Sequence, residues 1–142
     1  MKIQAYKLKY TIRNKTPLAV SDWYEIDHKK TIAIDFDGVI HRYSEGWVDG
    51  SIYDRPVQDS FKFIQMLVDN GYTIVVHTTR TDASAIFKWF VEWGRAKMYL
   101  DLKGYDFYES IYITQSKPPA IAYIDDRGIR FTNWQDIVKY FI

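Results

Sequence analysis

Thr31-Ile32-Ala33-Ile34-Asp35-Phe36-Asp37-Gly38-Val39 is the stretch on which the reading of this chain turns. Residues 31–34 make a short run rich in β-branched side chains, the pattern of a strand buried on both faces. Two carboxylates follow, spaced so that they point to different sides of the extended chain, and a glycine then allows a sharp turn. An acidic pair at the exit of a buried strand is placed for chemistry, because an open parallel sheet binds its ligands beyond the carboxyl ends of the strands.

Moving outward from that stretch, similar apolar runs recur at Tyr72 to His77, at Ile111 to Ile113 and at Ala120 to Ile124. Between them lie helical periodicities. Phe61, Ile64, Leu67 and Val68 define one helix that starts near Asp59 and stops at Gly71. Ile86, Trp89, Phe90 and Trp93 define a second that starts near Asp82 and breaks at Gly94, and Trp134 to Ile142 reads as a closing helix. The stretch from Ala96 to Phe107 is ambiguous, another helical turn or two before Gly104. Strands alternating with helices predict a three-layer α/β/α sandwich around a mainly parallel, Rossmann-like sheet. Ahead of this body, Tyr6, Leu8, Tyr10 and Ile12 alternate with Lys7, Lys9, Thr11 and Arg13 as in a half-exposed strand, and Asn14 to Lys30 reads as a connection. Residues 1–30 are thus expected to be a basic N-terminal strand or arm, and residues 31–142 the catalytic domain.

Whole-chain properties narrow the function. A chain of 142 residues, 47% hydrophobic, is enough for one buried core. The net charge of +1, from 19 basic and 18 acidic side chains, gives no global footprint for non-specific nucleic-acid binding. The charge is uneven, with seven Lys or Arg against three Asp or Glu in residues 1–30. The chain has no cysteine, which excludes disulfides, thiolate nucleophiles and Cys-ligated zinc and suits a reducing cytoplasm. No apolar signal core or bilayer-length apolar run is present, so a soluble cytoplasmic protein with no membrane partner is expected.

The polar residues just past each apolar run converge on one chemistry. Asp35 and Asp37 follow the first run, Thr78, Thr79 and Arg80 the second, and Asp125, Asp126 and Arg127 the last, with Lys117 just ahead of it. Phosphoryl transfer needs a nucleophile, a proton donor for the leaving group and positive charge on the phosphoryl oxygens. Asp35 suits the first role and Asp37 the second. Clustered carboxylates at Asp35, Asp125 and Asp126 repel one another in a low dielectric and call for a cation, and hard oxygen donors without His or Cys point to Mg²⁺. Lys117 and the Thr78 hydroxyl would hold phosphoryl oxygens. Thr79, Arg80 and Arg127 are candidates for substrate binding, although an Arg beside acidic groups is more often an ion-pair partner. His77 reads as a packed strand residue, and His28 and His41 have no metal-ligand spacing.

In the order Asp-x-Asp-Gly-Val, Thr, Lys, Asp-Asp, the chain resembles the haloacid dehalogenase superfamily of phosphohydrolases over residues 31–142, and its small, capless phage and bacterial members in particular. The resemblance implies Asp35 as nucleophile, Asp37 as general acid and then base, and Thr78 and Lys117 as phosphoryl clamps. It implies Mg²⁺ held by Asp35, the Asp37 carbonyl and Asp125, with Asp126 beside it. No cap insertion fits between the motifs. By the resemblance an open site suits large substrates, such as nucleic-acid ends or protein side chains, or homo-oligomers in which a neighbour covers the site; a nucleotide or nucleic-acid end is the preferred phosphorylated substrate. The loop Arg42 to Trp47 is placed as a small flap, with Tyr43 and Trp47 available for substrate contact.

Competing readings fare worse. An EF-hand needs an oxygen ligand and a Glu where Val39 and Gly46 stand. A phospho-acceptor receiver domain has its acidic pair on the first strand and its acceptor Asp on a middle strand, whereas the middle run here ends in Thr78. A non-catalytic module that keeps the metal or phosphate site and works through its N-terminal arm is the alternative function.

Overall fold

The computed structural model describes residues 1–11, 14–97 and 106–142. Its strands are β1 (Lys2–Thr11), β2 (Asn14–Glu25), β3 (Thr31–Asp35), β4 (Thr73–His77), β5 (Ile111–Thr114) and β6 (Ala122–Ile124). The helices are α1 (Ser60–Asp69), α2 (Ala83–Lys97), α3 (Asp106–Glu109) and α4 (Trp134–Val138), and a 3-10 turn at His28–Lys30 leads into β3. All six strands join one sheet in the order β2-β1-β5-β4-β3-β6.

The expected three-layer α/β/α sandwich with a mainly parallel Rossmann-like sheet is not what forms. The sheet is mixed, and helix accounts for only 26% of the structure. Its longest pairing is the antiparallel hairpin of β1 and β2, and β1 then joins β5 antiparallel through Tyr6 and Lys7. Parallel pairing is confined to β5-β4, β4-β3 and β3-β6. The layers differ as well. Phe61 and Ile64 of α1, Ile86, Phe87, Trp89 and Phe90 of α2, and Tyr108 of α3 all pack on one sheet face, against Leu8, Ile32, Ile34, Ile74, Val76, Ile111 and Ile113. Burying each such large apolar side chain contributes about 1.5–3 kcal/mol, so this face is the main core. The opposite face carries a small cluster of Ile3, Ala5, Ile26 and Val75, edged by Tyr24 and Tyr112, and no helix covers it among the described residues. The closing helix that would have made the third layer is the five-residue α4, none of whose residues is buried. A helix that short cannot hold itself in water without packing, and Phe131, Trp134, Tyr140 and Phe141 around it are exposed.

Local expectations fare differently from one element to the next. Helix α1 starts after Asp59, which adopts φ 64° and makes no side-chain cap, and Gly71 at φ 88° ends the turn beyond it. Helix α2 is capped by Asp82, whose Oδ1 accepts the Ala85 N–H at 3.0 Å, and it runs through Gly94 instead of breaking there. The connection expected over 14–30 is largely strand β2, paired along its length with β1. Ile12 and Arg13 of the expected first strand, and residues 98–105 of the ambiguous stretch, lie outside the described residues. Among the described residues no helix is long and apolar enough to cross a membrane.

Candidate active site

Parallel register brings the strand exits together. Asp35 at the end of β3 pairs with His77 of β4, which pairs with Thr114 of β5, while Ile124 of β6 sits beside Ile34. The next residues out, Thr78, Gln115, Asp125 and the turn after Asp35, therefore share one sheet edge. That turn is tight: Gly38 N–H donates to the His41 carbonyl at 2.8 Å, and His41 N–H returns to Phe36 at 2.9 Å. Gly38 holds φ 86°, and a Cβ on it would collide with the Asp126 carboxylate. Only glycine lets the first and last motifs approach this closely.

Asp35, Asp125 and Asp126 each present a carboxylate oxygen, all within 4.8 Å of one another. Asp35 is half-buried and its Oδ1 accepts the Phe36 N–H at 2.9 Å. Burial, and after it the charges of Asp125, Asp126 and Asp37, outweigh that hydrogen bond and push the Asp35 carboxyl up to about 6. Asp125 Oδ1 is steadied by the Arg127 N–H at 2.7 Å. Three hard oxygen donors whose mutual repulsion is unrelieved fit a divalent cation such as Mg²⁺. A cleft of about 520–730 Å³ on either side of the acidic stretch completes the picture, the larger one lined by Asp35, Asp125 and Lys117 and the smaller by Asp37, Thr79 and Arg80. Lys117 is exposed, lies 4.5 Å from the Tyr123 ring centroid, and makes no ion pair among the described residues.

Asp37 lives in a different environment. Arg80 grips it with two bonds, Nε to Oδ2 at 2.7 Å and Nη2 to Oδ1 at 3.0 Å, and reaches the Gly50 carbonyl with Nη1 at 2.6 Å. His41 Nδ1 meets Oδ1 at 2.8 Å. The fully buried His41 ring accepts the Asp54 N–H on Nε2 at 3.0 Å, which leaves Nδ1 as the protonated, donating nitrogen. Burial raises the Asp37 carboxyl, but the hydrogen bonds of His41 and Arg80 and the charge of Arg80 prevail and hold it below the ordinary carboxylate range. Thr78 is buried, and its Oγ accepts the Arg80 N–H at 3.1 Å, so its own proton remains free to donate.

Comparison with protein-family models, curated protein sequences and solved structures finds no match to this chain.

Most of the residues named from the sequence are thus distributed over two clefts that share no lining residue, and Thr78 and Asp126 line neither. Asp35, Asp125, Asp126 and Lys117 gather on one side, and Asp37, Thr79 and Arg80 on the other. Arg80 is the ion-pair partner of Asp37, so its guanidinium is already engaged. Arg127 contributes its main-chain N–H to Asp125 and lines neither cleft. His41 is the participant that sequence reasoning missed, because its spacing from the other histidines suggests no metal ligand. Its i,i+4 offset from Asp37 was the available signal.

Proposed function

We propose that this chain is a Mg²⁺-dependent phosphatase that hydrolyses a phosphate monoester through an aspartyl-phosphate on Asp35. One observation carries the reading: the two carboxylates of Asp35-Phe36-Asp37 open onto two different clefts, one with the acidic cluster and Lys117, the other smaller and free of that cluster. A phosphoryl group seated between them would meet a nucleophile on one side and have its leaving group on the other, the in-line arrangement that phosphoryl transfer requires.

An Asp35 carboxylate oxygen forms the bond to phosphorus as the ester P–O bond breaks. The leaving oxygen takes a proton from Asp37. Water, deprotonated by Asp37, then attacks the aspartyl-phosphate and releases inorganic phosphate and free Asp35. Lys117 and the Thr78 hydroxyl neutralise the phosphoryl oxygens. Asp35, Asp125 and Asp126 would hold Mg²⁺, which when bound supplies charge neutralisation at the phosphoryl group. His41 and Arg80 fix the orientation of Asp37 and favour its ionised form, which suits the base role and opposes the acid role, for which Asp37 has first to take up a proton. The order of the motifs along the chain supports the same chemistry, while the mixed sheet means that the reading rests on the site and not on the architecture. The cysteine-free composition supports a cytoplasmic setting.

Purified protein with Mg²⁺ is expected to release phosphate from at least one class among nucleotides, sugar phosphates, phosphopeptides and phosphorylated oligonucleotides, with loss of activity in EDTA and in Asp35→Asn. No release across that panel, or full activity in Asp35→Asn, would overturn the reading.

A further inference from the structure

The smaller cleft, about 520 Å³, has a volume in the range that takes a small organic ligand. Its walls are chemically one-sided. Trp47, Tyr43 and Ile52 give it aromatic and aliphatic surface, Ser51 and Thr81 give hydroxyls, and Asp82 gives a carboxylate. Arg80 is the one cation lining it among the described residues, and its charge is already offset by Asp37, each of its three guanidinium nitrogens making one bond to Asp37 or the Gly50 carbonyl.

Trp47 is 73% exposed, much as Trp23 and Trp134 are, but of the three it alone lines this cleft. The loop that presents it is nevertheless tied down. Arg42 N–H donates to the Arg55 carbonyl at 2.9 Å, Ser44 binds Asp54 Oδ2 through both N–H and hydroxyl, and the Tyr53 hydroxyl bridges the Glu45 N–H and the Gly46 carbonyl. The Asp54 carbonyl in turn accepts the buried indole N–H of Trp89 at 2.9 Å. Tyr43 holds φ 56°, an uncommon conformation for a residue with a side chain, and its ring lies between His41 and the Arg80 guanidinium. An exposed indole on a fastened loop is a preorganised stacking surface, because little entropy remains to be lost when a ring settles on it.

Resting on the phosphatase reading above, we propose that this cleft is the leaving-group site and that it selects nucleoside monophosphates, with the base stacked on Trp47 and the sugar or base donors directed to Asp82 and the neighbouring hydroxyls. The charge pattern sets the size of the ligand. A carboxylate at Asp82 and an Arg80 already paired give no counter-charge for a second phosphate, so nucleoside bisphosphates and phosphorylated oligonucleotide ends are disfavoured relative to mononucleotides.

The test compares kcat/KM for 3′- and 5′-nucleoside monophosphates with that for glycerol phosphate, O-phosphotyrosine and a phosphorylated oligonucleotide. The nucleotide-to-glycerol-phosphate ratio is expected to exceed one clearly and to fall about ten-fold in Trp47→Ala, the scale of one base stacked on an aromatic ring. Trp23→Ala, an exposed indole far along β2, serves as the control that leaves the ratio in place. Asp82→Asn keeps the cap on α2 while removing the charge, and is expected to raise the relative rate on nucleoside bisphosphates. Binding is read separately in Asp35→Asn protein, where AMP is expected to quench tryptophan fluorescence and Trp47→Phe to remove that quench. Quenching without turnover in the wild type would retain the cleft assignment and refute the phosphatase. Turnover with no nucleotide preference, with preference for O-phosphotyrosine or the oligonucleotide, or with a ratio indifferent to Trp47→Ala would refute the cleft assignment.

Discussion

Replacing Asp35 by Asn removes the proposed nucleophile, yet it is expected to make the metal-free protein more stable. The reason lies in the carboxyl's surroundings: burial and the charges of Asp125, Asp126 and Asp37 push it from 3.8 to about 6. That gap corresponds to roughly 3 kcal/mol of disfavoured charge, and because the group is only half-buried, screening by solvent reduces it to about 1 kcal/mol. In a domain of this size such a change moves the melting temperature by about 4 °C. The sign follows from proton binding. The folded state keeps the Asp35 proton to higher pH than the unfolded chain, so the cost is absent below the unfolded value of 3.8, grows as pH rises toward about 6, and is complete above it. The Asn side chain retains an oxygen for the Phe36 N–H and carries no charge. Thermal melts in EDTA should therefore show Asp35→Asn above wild type at neutral pH and level with it near pH 4. Adding Mg²⁺ should raise the wild type and leave the variant nearly unmoved. A variant less stable than wild type at neutral pH in EDTA would refute the claim that this cluster is electrostatically frustrated without a cation.

Further outcomes test the rest of the site. Gly38→Ala must adopt φ 86° and displace the Asp126 carboxylate, so a loss of about 1–3 kcal/mol in urea denaturation and weaker Mg²⁺ protection are expected. His41→Ala leaves the Asp54 N–H without its partner, strips Asp37 Oδ1 of one of its two donors and opens a cavity beside Phe36, for a cost of about 2–3 kcal/mol in the same assay. Arg80→Met removes two of the bonds that hold Asp37 low, so the acidic limb of the pH–rate profile should move to higher pH; an unchanged limb would show that Asp37 is not the titrating group.

Much of the parallel part of the molecule is legible in the chain, because a buried strand and an amphipathic helix are each defined by neighbours in sequence. The runs that became β3 to β6 and the periodicities of α1 and α2 are of this kind. Strand β2 is not. Pro17 and the polar Ser21-Asp22 break any local pattern, and the segment becomes a strand only because β1 lies beside it. The third layer failed for the converse reason: Trp134 to Ile142 has the composition of a docking helix, but docking is a tertiary event, and the helix that forms buries nothing. In the site, the carboxylates were readable from their place after strands. The grip of Arg80 on Asp37, spanning 43 residues, and the fixed tautomer of His41 depend on how side chains meet across the fold.

Strand β6 has three residues and a single neighbour, β3, yet Asp125 and Asp126 follow it directly. The core clusters draw no residue from it, so the acidic cluster is held together by the pairing of one short strand and not by the core. Fraying of that strand would carry Asp125 and Asp126 away from Asp35 while the other strands kept their pairing. A frayed copy would be folded but without its cluster, so under the proposed function the activity of a preparation would count zipped molecules, not folded ones.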